Sequence, residues 1–199
     1  MSNKAPIDVP YGPIGQSIES FALDYGSSTM RKQKQLLFRN LTPTNMDGHE
    51  IWMAECEKIH YLAKPRRYEE GTRTSEDAAN QLGCDISHIA KSIVFGGEKG
   101  AIIVITSGSN RVDRKKKLKK ILGYKPSQAS AEYVLENTGY AIGGVPPFGH
   151  LKDTEILMDE DLFNYELIWG ASGTADTVFP ITPEELLKIS GASVKDVKQ

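Results

Sequence analysis

The chain has 199 residues, 39% hydrophobic and 25% charged, enough for one packed domain with an extension but not for two full domains or a disordered chain. Its formal net charge of −2 excludes a globally basic nucleic-acid binder, yet residues 111–120 hold seven cations and one acid, so the remainder is acidic. No apolar run approaches the roughly 20 residues of a transmembrane helix, and residues 1–10 lack the apolar stretch of a secretion signal, so the expected location is cytoplasmic, with no membrane partner.

Residues 1–15 contain three prolines and two glycines and read as a flexible lead-in. A cationic patch follows at Arg31, Lys32, Lys34 and Arg39. Residues 50–62 predict a helix with Ile51, Ala54, Ile59 and Leu62 on one face. Residues 1–60 are therefore expected to form a partly flexible N-terminal extension, and residues 61–199 the regular domain. Thr74 with Asp77 three residues on signals a helix start, and Gly83 a stop. A short turn over residues 85–90 leads to two β-rich runs, 92–95 and 101–106, joined by a glycine-rich link that reads as a hairpin. The second run is almost continuously apolar, as a central strand is. Val112, Leu118, Ile121 and Leu122 give the basic run an apolar side, so a helix is expected there, ending at Gly123. Ser130 caps a helix to about residue 137, and strands are expected at 155–158 and 166–169. Thr182, Pro183 and Glu185 open a last helix with Leu186, Leu187 and Ile189 on its core face. Strands and helices are interspersed, so the expected fold class is mixed α/β, a mostly antiparallel or mixed sheet flanked by helices.

Three places could carry chemistry. Lys91 stands where a helical turn becomes a strand, and an ammonium at a sheet rim can hold a phosphate or stabilise a developing oxyanion; a solvated strand-end lysine fits the same residues. The loop at residues 143–149 (GGVPPFG) combines backbone freedom with stiffness and could present N–H donors to a carbonyl, or could be a tight structural connection. Residues 170–176 (GASGTAD) could wall a small pocket, or form a surface turn. His150 could act as a base or be structural. Cys56 and Cys84 support no disulfide framework or zinc cluster and read as buried reduced thiols. His49, His60, His88 and His150 show no metal-ligand spacing, so neither a metal nor a cofactor is expected.

Taken together, the segments TRTSEDAA (72–79), IAKSIVF (89–95), SGSNRVD (107–113), TGYAIGGVPPFG (138–149) and GASGTAD (170–176), followed by PEELL (183–187), resemble the YbaK/ProX family of aminoacyl-tRNA editing domains in order and content, over residues 65–197. The resemblance implies hydrolysis of the ester joining a wrong, small amino acid to the 3′-terminal adenosine of a tRNA, often a proline tRNA. The substrate itself, through its ribose 2′-OH or side chain, is implied to assist water attack. Lys91, Gly143 and Gly144 match the family's catalytic positions. Ser92, Val145, Pro147, Phe148, Gly149, His150, Gly173 and Asp176 match or adjoin its substrate pocket. Arg111, Arg114, Lys115, Lys116, Lys117, Lys119 and Lys120, with Lys64, Arg66 and Arg67, are candidates to track the acceptor stem, although the run also suits a solvated helix face. Implied partners are mischarged tRNA and prolyl-tRNA synthetase, not DNA. Two other readings fit the residues: a non-catalytic tRNA- or synthetase-binding module of the same fold, and a small-molecule ester or amide hydrolase.

Overall fold

The two apolar runs pair as a hairpin of β2 (Ile89–Gly97) and β3 (Gly100–Ser107), with Ile93 opposite Val104. A computed structural model describes residues 46–69 and 74–199. The lead-in at 1–15, the cationic patch at 31–39 and the first residues of the TRTSEDAA segment lie outside the described residues. β3 is buried along almost its whole length, which is why its sequence is apolar on both faces rather than alternating.

Around this hairpin the described residues form a sheet of eight strands. The others are β1 (Arg66–Arg67), β4 (Ser127–Gln128), β5 (Glu155–Asp159), β6 (Ile168–Ala171), β7 (Thr177–Ile181) and β8 (Ser193–Lys195). Their order is β1-β7-β6-β2-β3-β5-β8, and β4 pairs with β2 off this path. β6, β5 and β8 add in parallel and the rest antiparallel, so the sheet is mixed, as expected. The strand expected at 166–169 begins two residues later. β7 was not expected, and it holds Pro180, a residue unfavourable in a strand interior. It is tolerated because β1 covers β7 only at Thr177 and Val178, leaving Pro180 beyond the paired stretch on that side.

Strand alternation sorts the core onto two faces. On one face Ile103, Ile105, Met158 and Ile168 meet helices α1 (Gly48–Lys58), α4 (Ala131–Thr138) and α5 (Pro183–Ser190) through Trp52, Cys56, Val134 and Leu186. On the other face Ile89, Trp169 and Val178 meet Ala78 and Ala79 of α2 (Ser75–Leu82), while Phe95, Ile102, Val104 and Leu157 meet the basic segment through Leu118. The helix starts follow the sequence: Thr74, Ser130 and Thr182 each accept a backbone N–H three residues on.

Two local expectations are corrected. The first helix spans Gly48–Lys58 and buries His49, Trp52 and Cys56; Ala54, Ile59 and Leu62 are exposed. Asp47 starts it with a capping box, and His60 at φ 57° carries the chain out of it. Because Trp52 and Cys56 sit in the main core, the packed unit extends upstream of residue 61. Burial pushes the Cys56 thiol up to about 12, which makes it inert; Cys84 is free but only half-buried. The basic segment is a π-helical turn (Arg114–Leu118) followed by α3 (Lys119–Leu122), not a helix from residue 111. Asp113 sets the turn: its carboxylate accepts Lys115 and Lys116 N–H, and its carbonyl accepts Leu118 N–H at 3.0 Å, five residues on.

Candidate active site

One edge of β2 is only partly covered. β6 pairs with it at Ile89 and Ala90, β4 at Phe95 and Gly96, and among the described residues no strand covers the stretch between. A cavity of about 290 Å3 opens at this break. Its walls are the first residues of β2, Trp169 and Ala171 of β6, Val178 of β7, Ser75 and Ala78 of α2, and Gly143 and Val145 of the glycine–proline loop. That volume stands at the low end of the roughly 300–1,000 Å3 of small-molecule sites, and its walls mix apolar side chains with Thr74, Ser75, Lys91 and Ser92.

Lys91, the third residue of β2, and Ser92 both line the cavity. Successive strand residues point to opposite faces, so they approach from opposite sides of the β2 edge. Lys91 Nζ donates to Gly108 O at 2.9 Å and Asn110 O at 2.6 Å. An ammonium has three N–H donors, so one remains for a ligand. Burial holds the Lys91 pKa below its ordinary 10.5, Arg111 lowers it further, and Asp159 opposes both. The carbonyl that grips Lys91 is itself braced. Asn110 Nδ2 donates to Asp159 Oδ2 and to Asp161 Oδ2, each at 2.9 Å, and Thr106 donates to Asp159, which is fully buried. The Ser92 hydroxyl is buried without a hydrogen-bond partner.

In the loop, Gly143 (φ 91°) reaches the cavity and its N–H has no acceptor within the described chain. Gly144 does not share that position. Its N–H closes a turn onto Ala141 O at 3.0 Å and its carbonyl accepts Gly173 N–H at 3.1 Å, so a paired Gly143/Gly144 amide cradle is not present. Val145 lines the cavity, but the rest of the loop turns into the core. Phe148 packs 5.5 Å from Trp52 and 5.8 Å from Phe179, and Pro147 lies beneath Gly170, where a Cβ would stand 3.3 Å from its ring. Gly149 (φ 82°) backs onto Glu55 and Trp52 and accepts the Tyr140 hydroxyl. His150 is no free base: burial lowers its pKa, Nε2–H donates to Pro146 O at 2.8 Å and Nδ1 faces Thr154 Oγ1 at 3.1 Å.

The hairpin at 172–176 also supports rather than lines the cavity. Gly173 presses against Gly48 of α1. Asp176 is engaged by Thr174 Oγ1 and by Arg67 Nε, an ion-pair contact at 3.2 Å rather than an aligned hydrogen bond. Arg67 also binds Asp47, and Arg66 lies 4.8 Å over the ring of Trp169, so neither arginine stands as an isolated surface cation. In the basic run, Arg114 donates to Pro126 O and Lys117 pairs with Asp196. Arg111, Lys115, Lys116, Lys119 and Lys120 remain exposed.

Sequence reasoning gave Asn110, Asp159, Trp169 and Ala78 no role. Asn110 lies in the SGSNRVD segment, which was the available signal; Asp159 and Trp169 become visible only once strands more than 50 residues apart are paired, and Ala78 once its helix packs on that sheet. Among the described residues no group of three or more His, Cys, Asp and Glu could hold a metal ion, and no helix is long and apolar enough to cross a membrane.

The fold is a mixed α/β sheet flanked by helices, with a small cavity at a break in one strand edge that one carbonyl-held lysine and a loop amide line. This chain belongs to the aminoacyl-tRNA editing domain family, whose sequence model matches residues 69–189. It is 36% identical over 128 residues to the uncharacterized protein YwhH of Bacillus subtilis (strain 168), covering 64% of this chain and 81% of YwhH. EbsC of Enterococcus faecalis (strain ATCC 700802 / V583), named as a candidate Cys-tRNA(Pro)/Cys-tRNA(Cys) deacylase, is 25% identical over 155 residues, covering 77% of this chain and 94% of EbsC. A crystal structure of a candidate trans-editing enzyme for prolyl-tRNA synthetase is similar at a TM-score of 0.73 and 39% identity, covering 78% of this chain and 99% of that one.

Proposed function

We propose that this domain removes a small, wrongly attached amino acid from a tRNA, with proline tRNA as the leading candidate, by hydrolysing the ester at the 3′-terminal ribose. The observation that carries this reading is the presence, in one small cavity, of the half-buried Lys91 ammonium and the unpartnered Gly143 N–H. The names of EbsC and of the trans-editing relative support the substrate class.

In this mechanism Gly143 N–H donates to the ester carbonyl as it becomes an oxyanion. One such donor is worth about 2.7–4 kcal/mol of barrier in acyl transfer. The third N–H of Lys91 binds a phosphate or ribose oxygen of the terminal nucleotide and fixes the ester beside Gly143. Ser92 offers its hydroxyl to a polar group of the substrate. Water adds to the carbonyl carbon, the bond from that carbon to the ribose 3′-oxygen breaks, and that oxygen takes a proton. No side chain of the cavity is placed as a general base, which fits a reaction assisted by the neighbouring ribose 2′-OH.

Ala78, Ala171, Val145 and Val178 give the cavity small apolar walls against which a short side chain would pack. A second sieve of this kind has a physical motive, since a synthetase pocket separates amino acids differing by one methylene by only about 1–3 kcal/mol. Exposed cations of the basic run would contact the tRNA backbone, with prolyl-tRNA synthetase as the enzyme whose errors are corrected.

The test is deacylation of alanyl-, seryl-, cysteinyl- and threonyl-tRNA by wild type and Lys91→Ala. Selective hydrolysis that falls at least 100-fold in the variant, with tRNA binding retained, is expected. Binding of tRNA with no hydrolysis of any substrate would replace the enzyme by a binding module.

A further inference from the structure

The C-terminal strand brings lysines to the basic segment that lie about 80 residues away in sequence. Residues 197–199 run beside residues 111–113: Gln199 N–H donates to Arg111 O and Asp113 N–H to Val197 O, each at 2.8 Å, and Val112 pairs with Lys198. This zipper closes a cleft of about 380 Å3 lined by Lys117, Lys120, Ile121, Lys195 and Asp196. Three lysines face one aspartate there. Lys117 pairs with Asp196, whereas Lys120 and Lys195 are exposed and make no ion pair among the described residues. Lys198 is not part of this surplus, because both its contacts go to Asp161, at 2.9 and 2.7 Å.

The cleft belongs to the same side of the molecule as Lys91. Lys91 alternates in phase with Ile93 and Phe95, and those two residues pack in the cluster that also holds Leu118 and Ile121. Arg111 is close enough to Lys91 to lower its pKa and stands six residues before Lys117 in the chain. Three of the five lining residues are lysines and one is an aspartate, a cationic surplus that suits a polyanion.

We propose that Lys120 and Lys195, with Lys117, form a docking site for the sugar–phosphate backbone of an RNA whose 3′ end enters the cavity. This rests on reading the cavity as an aminoacyl-tRNA site, and it selects a subset of the basic run: Arg114 is structural, and Lys195, outside the run, takes part.

The test is fluorescence anisotropy with uncharged, transcribed proline tRNA across a potassium chloride series, comparing wild type, K120Q/K195Q and the charge-matched control K99Q/K188Q. Each lost phosphate contact lowers the slope of log affinity against log salt by about 0.7–0.9, so the cleft variant should lose about 1.5 from the slope and roughly 10- to 30-fold in affinity at 0.1 M salt. The control should change affinity by less than about threefold, as expected for a charge change without a lost phosphate contact. Equal effects of the two variants, an unchanged slope in K120Q/K195Q, or no binding by wild type would each overturn the proposal. Binding is read without hydrolysis, so a wild type that binds tRNA with the expected slopes but deacylates nothing would remove the catalytic reading and keep the cleft. Active wild type with an unaltered slope in the cleft variant would remove the cleft alone.

Discussion

Replacing Gly173 by alanine tests whether α1 and the hairpin at 172–176 hold the cavity loop as one packed unit. An alanine Cβ at 173 would stand 2.0 Å from Gly48 O, 2.4 Å from Gly48 C and 2.8 Å from His49 N, all backbone atoms that cannot swing aside. Gly173 also sits at φ 102°, where a Cβ costs about 1–2 kcal/mol by itself. Overpacking against fixed backbone adds about 1–3 kcal/mol. The expected loss is about 3 kcal/mol, or roughly 6–12 °C in Tm for a chain of this size. Gly191→Ala is the control: φ is 63°, but nothing lies within 4 Å of the new Cβ, so only the conformational part, about 1 kcal/mol or 2–4 °C, should appear. Differential scanning calorimetry on both variants measures the difference. Equal losses would refute the argument, since the Gly48–Gly173 contact would then be no tighter than open space. Deacylation by Gly173→Ala below its melting range should also be reduced, because Gly173 N–H holds Gly144 O, next to Gly143.

Three further outcomes follow from the same geometry. Phe148→Ala should cost about 3–5 kcal/mol of stability, read by urea unfolding, because the ring fills the core between Trp52, Tyr61 and Phe179; a stability change under 1 kcal/mol would return Phe148 to the cavity wall. If the ammonium is the working form of Lys91, single-turnover deacylation should fall as pH rises through a value below 10.5, after correction for spontaneous ester hydrolysis. Asp159→Asn removes the acid that favours the charged form and should move that fall to lower pH, whereas Arg111→Gln removes a like charge and should move it to higher pH; shifts in the same direction would refute the assignment.

The parts of the fold visible in the sequence were those dictated locally. Continuous apolar residues marked β3, and the hydroxyl caps Thr74, Ser130 and Thr182 marked helix starts. β1, β4 and β8 are two or three residues long and exist only because a longer strand lies alongside, so no local pattern announces them. The basic segment shows apolar spacing compatible with an α-helix, but the Asp113 carbonyl's bond to Leu118 five residues on shifts the phase and separates the lysines. Lys91 and Gly143 were singled out by the family resemblance; read locally, a solvated strand-end lysine and a tight structural loop fit the same residues. The inward course of Pro147 to His150 was not legible: glycine–proline composition indicates a turn without saying which side of it faces inward. That side is fixed by Trp52, which comes from a helix almost a hundred residues earlier.

The manner in which Lys91 is held bears on the proposed chemistry. A carboxylate in direct contact would orient the side chain, but it would also neutralise it and compete with the substrate's phosphate. Carbonyls of Gly108 and Asn110 orient Nζ while leaving its full charge and one donor free. The acids stand one layer back: Asp159 and Asp161 grip the amide of Asn110, not the ammonium, so they stiffen the carbonyl that aims Lys91. Asp159 offsets part of the burial penalty from a distance, and Asp161 is itself paired with Lys198. The result is a cation that is fixed in place yet unpaired by any carboxylate, at a break in the sheet edge. For an aminoacyl ester, already reactive towards water, positioning and local charge are what the reaction still lacks, and in the function proposed here Lys91 is the residue that would supply them.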